Sequence, residues 1–524
     1  MAGTQRKRSM SRRSFLGTGA AGVSSLAFSS ALVEMLLSGA GCKSGPGRGL
    51  DGLIIPEDVL RKAVGFLTAK GADFGDVFVE RAATDAVMSD DRKINTFTTI
   101  EKGVGFRAVK DGRTFYAYTD SFESERLFET ARYVADAASL GGGGQAAVVN
   151  LTARTSTLAF PITPLPSEVE VEKKIALFKM LTDRAWSADS RVVQAIQMLR
   201  EIIRQVNIAT SSGSLIHQTL GLTEFLAQTY VKDLQGGLQV AMDMRGAYAG
   251  RDFFTGENSF ETVVDKSVEK ALRLLEAVDS PRGVFPVVLG PGMNGVLFHE
   301  SCGHGMEADL VFKGSNFKDQ LGKQTAAKGV TLIDDGTIPQ FPGSYAFDDE
   351  GTPSEKTVLI EDGIQRSYLC DLVWGKKLGL KSTGNGRRES FRYPPIPRMR
   401  NTFIEKGTVP PEEIIASTKK GIYVGDVSGG GQVDVITGNF MMGVGEGYLV
   451  EGGKITRPIK GATLSGMGIQ AMKTIDMVGT DLKMFPSAGR CGKLQGAPVG
   501  FGMPTIRVRG ILVGGKGEAW EDKG

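Results

Sequence analysis

His299 and His304 stand five residues apart around Glu300 in the run GVLFHESCGHGMEADL, and that spacing restricts how the backbone can run there. An ideal α-helix advances about 100° per residue, so a separation of five puts two side chains roughly 140° apart. They could not be aimed at one point. A π-type turn of about 4.4 residues brings them back within roughly 50°. Gly303 lowers the cost of such a distortion, and Gly305 lets the chain leave the helix soon after. The spacing therefore predicts a helix that is wide or broken at this point.

The residue types point to hydrolysis. Two imidazoles can bind a borderline metal such as zinc, and a carboxylate beside them can take a proton from water held at the ion. The commoner H-E-x-x-H pattern separates its histidines by four. A hydrolytic zinc usually has three protein ligands and one open position, so a third donor is needed. The chain has one other histidine, His217, in the alternating strand pattern SSGSLIHQTL. A histidine there is more often packed or at the surface than ligating. Glu307, three residues beyond His304, can ligate or orient a ring. Cys491, in the turn-like GRCGKLQG, can present a thiolate. On chemistry alone Glu307 and Cys491 stand level.

Other landmarks carry less. Cys302 reads as a small buried thiol, and Cys370, in RSYLCDLVW, as an ordinary strand residue. The four cysteines (Cys42, Cys302, Cys370 and Cys491) are not spaced as a disulfide framework. The acidic groups Asp334-Asp335 and Asp348-Asp349-Glu350 lie beside Gly, Thr and Pro and read as solvated turns. GNGRR (384–388) and GGGQ (429–432) lack the strand–glycine–helix setting and the lysine of a nucleotide loop.

Length and composition set the architecture. At 524 residues the chain exceeds one ordinary core. Its 70 glycines, spread throughout, favour turns and close backbone approaches over a helical bundle. Helical patterns cover 56–71, 121–138, 168–186 and 260–278. Strand-like runs are DVFVERA, AVMSDDRKINTFTTI, GVGFRAVKD and RTFYAYTD, with a hairpin signal at Asp111-Gly112, then a meander over 193–255. Gly141–Gly144 is a glycine loop. The fold class expected is α+β in two domains. An N-terminal sandwich-like domain spans 52–280. A glycine-rich, mostly β C-terminal domain spans 285–524 and carries the distorted metal-binding helix.

The N-terminus reads as an export signal over 1–42, with a linker at 43–51. Ser11-Arg12-Arg13-Ser14-Phe15-Leu16 resembles a twin-arginine signal and precedes an apolar run. That implies an exported, periplasmic protein, or a cytoplasmic one if the signal is not used. Cys42 follows Gly39-Ala40-Gly41, a weak likeness to a lipoprotein site without the usual bulky residue. Membrane attachment is expected only through a lipid there. Arg6, Lys7, Arg8, Arg12 and Arg13 against Glu34 give residues 1–41 four excess positive charges. The net charge of +3 becomes −1 without them, which leaves no electrostatic case for nucleic acid.

Ordered blocks make the chain resemble the TldD/PmbA family, in its TldD-like metalloprotease branch. They include HESCGHGMEADL, DDEGTPSEKTVLIEDG, TGNGRRES, PPIPRMRNTFI, GGGQVDVITGNF, KGATLSGMGIQAM and CGKLQGAPVGFGMPTIRV. The likeness is dense over about 285–515 and looser over 55–280. It implies a zinc peptidase with His299, His304 and the distant Cys491 as ligands and Glu300 as base, which decides between Cys491 and Glu307. It implies unfolded, extended peptides or small proteins as substrates. It also implies a homodimer, or a heterodimer with a PmbA-like sister subunit that lacks the motif. The alternative is a non-catalytic binding or regulatory subunit of a peptidase complex. Two departures stand out: the export-like segment and the second thiol, Cys302, inside the motif.

Overall fold

The computed structural model describes residues 52–139, 149–155, 168–428 and 431–521. The export-like segment, Cys42, the linker and the Gly141–Gly144 run lie outside them, as do Gly429 and Gly430.

Alternating residues after α1 (Glu57–Thr68) build a long antiparallel meander: β1 (Phe74–Asp90), β2 (Lys93–Lys110) and β3 (Arg113–Thr119). Asp111 and Gly112 both have positive φ, 50° and 69°, as a tight two-residue hairpin requires. A second such turn, Asp91-Arg92 with φ 47° and 66°, joins β1 to β2. It carries no Asn-Gly or Asp-Gly signal. The run 86–100, expected as one strand, is therefore two strand ends around a turn. After α2 (Ser124–Ser139), β4 (Thr152–Arg154) and α3 (Val171–Ala188) come β5 (Val192–Thr210), β6 (Ser214–Lys232) and β7 (Leu238–Ala247). One seven-stranded sheet results, in the order β3-β2-β1-β5-β6, with β4 and β7 both pairing β6. The last helix of this half, α4 (Phe260–Glu276), is capped by the Ser259 hydroxyl, which accepts from the Thr262 amide at 3.1 Å.

Strand periodicity gives the sheet two different faces. Val77 and Val79 of β1 pack with the apolar stripes of α1 and α2. Val87 of β1, Leu199 of β5 and Phe225 of β6 pack with those of α3 and α4. On the opposite face Phe78, Val206, Ile208 and Ile216 pack with Ala346, Phe347 and Phe391 from the C-terminal half. That contact is also ionic. Arg107 bridges Asp76 and Glu350, Arg388 reaches Asp76 at 3.1 Å, and Arg204, paired within the sheet to Glu80 at 2.6 Å, reaches Asp349 at 3.5 Å. The Glu80 carboxylate also accepts from the Phe391 amide at 2.7 Å.

The C-terminal half is β-rich, with a twelve-stranded and a six-stranded sheet around one large core. Two expectations are corrected here. The acidic groups are buried, not solvated. Asp334 accepts from the Arg400 amide and Nε, Asn385 and Thr402, while Asp348 accepts from three backbone amides. Arg400, Asn385, Thr402 and Gly386 among these partners lie far away in sequence, which local composition cannot reveal. Cys370 is buried but in no strand; it follows Leu369, which forms an isolated bridge to Glu307.

Candidate metal centre

The strand Val287–Leu289 runs between Lys420–Val427 and Ile506–Val508, then turns into the motif segment. Asn294 holds that junction. Its amide donates to the Gly290 and Val424 carbonyls at 2.9 Å, and its oxygen accepts from the Val427 amide at 2.9 Å. A short α-turn, Val296–Phe298, becomes a π-turn at His299–Gly303 and a 3-10 turn at His304–Met306. The His304 amide donates to the His299 carbonyl. The i to i+5 bond of the π-turn thus spans the two histidines themselves. The expected widening is present, and it puts both rings on one side, with centroids 5.4 Å apart.

Cys491 arrives from elsewhere, on the hairpin Arg490–Lys493 with Gln495–Pro498, whose turn residue Leu494 has φ 60°. Its Sγ lies 3.1 Å from His304 Nε2. One donor atom each from His299, His304 and Cys491 lies within 4.8 Å of the others, and all three residues are buried. His304 Nδ1–H donates to Glu307 at 2.8 Å, which fixes the tautomer and turns the Nε2 lone pair toward the cluster. Glu307 in turn meets Lys493 Nζ at 2.9 Å, and Lys493 also meets Asp309 at 2.8 Å. Arg398 donates to the Cys491 carbonyl at 2.5 Å.

Charge follows from these contacts. Burial would raise the Glu307 carboxyl, but Lys493 and His304 outweigh it and hold the pKa at about 2. Burial works against charge on Cys491 and His304 too. Even so, His304 and Arg398 pull the Cys491 thiol well below its ordinary value, and the thiolate with Glu307 pulls His304 well above its own. Thiolate is the metal-binding form of cysteine. His299 offers the sharpest test of fit. It is 1% exposed, and among the described residues neither ring nitrogen makes a hydrogen bond of sound geometry. A buried imidazole without partners is costly unless something binds it. An ion among the two rings and the sulfur would satisfy it, so the residues present fit a metal.

Glu300 lies on the open side of the cluster. Its Oε2 is 3.6 Å from His304 Nε2, and burial raises its pKa above the ordinary carboxyl value. Together with His299 and Cys491 it lines a cavity of about 290 Å³ facing β5, β6 and β7. The wall is mostly apolar, with Met198, Met242, Met244, Met293 and Phe501 prominent.

Of the residues singled out in the sequence, His299, Glu300, His304 and Cys491 converge here. Glu307 sits behind His304 rather than beside the cluster. His217 is elsewhere: its Nδ1 pairs with Asn207 at 2.8 Å and its Nε2 accepts from the Gly52 amide. Cys302 is buried, with its thiol pushed up to about 12 by burial, and it faces Gly468. GNGRR is consumed by the fold, since the Gly386 and Arg388 amides donate to Asp348 and Asp349. Sequence reasoning missed Lys493. A strand puts residues two apart on one face, so a lysine two after Cys491 was the available signal.

Fold and site together define a candidate metal centre beside a carboxylate. Three family models match in order: PmbA/TldA metallopeptidase domain 1 over 75–140, the central domain over 164–275 and the C-terminal domain over 282–515. A metalloprotease TldD homolog of Haemophilus influenzae is 36% identical over 461 residues, covering 86% of this chain and 94% of that one. A metalloprotease of Methanothermobacter thermautotrophicus is 32% identical, covering 84% and 96%. Among solved structures, TldE of Thermococcus kodakarensis superposes with a TM-score of 0.68 at 20% identity, covering 87% of this chain and 99% of that one. The chain belongs to the PmbA/TldD metallopeptidase family.

Proposed function

We propose that this metallopeptidase uses zinc, held by His299, His304 and Cys491, to hydrolyse unfolded or extended peptides. The observation that carries this reading is the buried triangle of two imidazoles and one thiolate beside Glu300. Bound zinc would supply Lewis-acid polarisation of a peptide carbonyl and lower the pKa of water near it. Glu300 takes the proton from the attacking water and passes it to the leaving amine. Glu307, braced by Lys493, keeps His304 in the ligating tautomer. The apolar wall of the cavity receives substrate side chains and excludes water from the reacting bond.

Two further parts of the reading concern context. The fold likeness to TldE supports pairing with a motif-lacking sister subunit, or with a second copy of this chain. Arg12-Arg13 and the apolar run after them support export to the periplasm, in which Cys42 would be a lipid anchor.

Glu300→Gln separates binding from chemistry. Zinc content should stay near one per chain, while kcat on a casein-like unfolded substrate should fall by roughly 10²–10⁴-fold. A chelator should abolish the wild-type activity. Undiminished turnover by Glu300→Gln would overturn the assignment of the base. A metal-bound wild type that cleaves no peptide would favour the regulatory-subunit alternative.

A further inference from the structure

Arg490 stands next to Cys491 and lines two cavities at once. One is the 290 Å³ cavity of the metal centre. The other is a smaller cavity of about 60 Å³ lined also by Arg204, Tyr248, Asp349, Arg388 and Glu389. Its guanidinium is exposed to these spaces and makes no hydrogen bond or ion pair among the described residues.

The neighbouring charges are already committed. Arg200 donates to Glu224 at 2.6 Å, and Glu389 accepts from the Gly496 amide at 2.6 Å. Arg204 pairs with Glu80, Arg388 with Asp76, and Arg387 donates to the Met399 carbonyl at 2.6 Å. Asp348 and Asp349 accept from backbone amides. Glu300 has its own place at the metal cluster. Among the described residues, that leaves Arg490 as the one charged side chain lining either cavity with neither a hydrogen-bonded partner nor an assigned role. Its nearest opposing charges, Glu224 and Glu389, act on it without forming an ion pair, and its planar fork fits a carboxylate. Much of the larger cavity's wall is methionine and phenylalanine, and its other arginine, Arg200, is already held by Glu224.

We propose that Arg490 is a specificity-determining residue that binds a carboxylate of the peptide substrate, either an Asp or Glu side chain or the free C-terminus. The apolar wall then takes the neighbouring side chain. The assignment rests on the peptidase reading above. A charge-assisted, two-pronged contact of this kind is worth about 10- to 100-fold in selectivity.

The test uses the full-length metal-loaded protein and quenched fluorogenic peptides of one sequence. A single glutamate is walked along the peptide and replaced by glutamine, and each peptide is made with a free and an amidated C-terminus. Wild type should prefer the carboxylate form at one position by about 10- to 100-fold in kcat/KM. A preference that survives amidation identifies a side chain; one lost on amidation identifies the terminus. In Arg490→Met the ratio should fall to near one. In Arg490→Lys, which keeps the charge, a reduced preference should persist. Dissociation constants of labelled versions of the same peptides, measured by anisotropy on Glu300→Gln with and without Arg490→Met, should show the same discrimination without turnover.

Equal losses on all peptides in Arg490→Met, or no carboxylate preference in wild type, would overturn the proposal while leaving the peptidase reading intact. If wild type cleaves nothing yet binding still discriminates through Arg490, the peptidase reading fails and the carboxylate site stands.

Discussion

At the scale of single residues, the metal turn is held by glycines that leave no room for a side chain. A Cβ on Gly468 would lie 2.3 Å from the Ser301 carbonyl oxygen and 2.8 Å from Cys302 Sγ. A Cβ on Gly303 would lie 2.1 Å from Met399 Sδ. The methionine end can move, whereas the Ser301 carbonyl belongs to the π-turn backbone. Gly468→Ala should therefore cost about 1–3 kcal/mol in denaturant unfolding and weaken metal retention measurably. Gly492→Ala, where a Cβ meets nothing within 4 Å, should do neither although it adjoins Cys491. Equal behaviour of the two variants would contradict this account. The five-residue spacing of His299 and His304 was legible as a widened turn, because helix geometry depends only on local counting. The Gly468 contact was not, because it joins points far apart along the chain.

At the scale of elements, periodicity located the four helices and most strands of the first half. It failed at Asp91-Arg92, where the sheet imposes positive φ on residues that do not advertise it. It failed again at the acidic clusters, whose distant arginine partners decide their burial. One ion-pair group pins a strand pairing and has a defined pH signature. Asp476, on Ile475–Val478, accepts from Arg507 at 2.8 and 2.9 Å and from Arg509 at 2.6 Å across to Ile506–Val508. Burial would raise its pKa, but the arginine hydrogen bonds outweigh that and lower it below the ordinary 3.8. The folded state therefore favours the carboxylate. Its contribution is complete well above pH 3.8 and is lost as the pH falls below that value. Asp476→Asn should lower stability at pH 7 by about 0.5–1 kcal/mol, given partial solvent screening. Urea titrations should show the gap from wild type closing below pH 3.8. A gap that stays constant or widens in acid would contradict this.

At the scale of the whole molecule, a helix-backed sheet lies with its other face on the β-rich half, and the contact is built from buried ion pairs. Arg107 and Asp76 are both almost fully buried, and both have partners in the C-terminal half. The cavity beside the candidate metal centre lies along this contact, so the first half supplies one wall and the second half the cluster of His299, His304 and Cys491. The sequence disclosed that second half's motif but not the meeting of its pieces. No local signal places Cys491 against His304, 187 residues away; family resemblance did. Residue chemistry alone left Cys491 level with Glu307. The structure puts Glu307 on the far nitrogen of His304 and Cys491 on the near one.

Counting zinc by mass spectrometry in the purified wild type and in Cys491→Ala addresses the convergence of those three side chains directly. About one ion per chain in the wild type, falling below a tenth in the variant while the protein stays folded, is the expected result. A wild type without metal, or a Cys491→Ala protein that keeps its full complement, would contradict it.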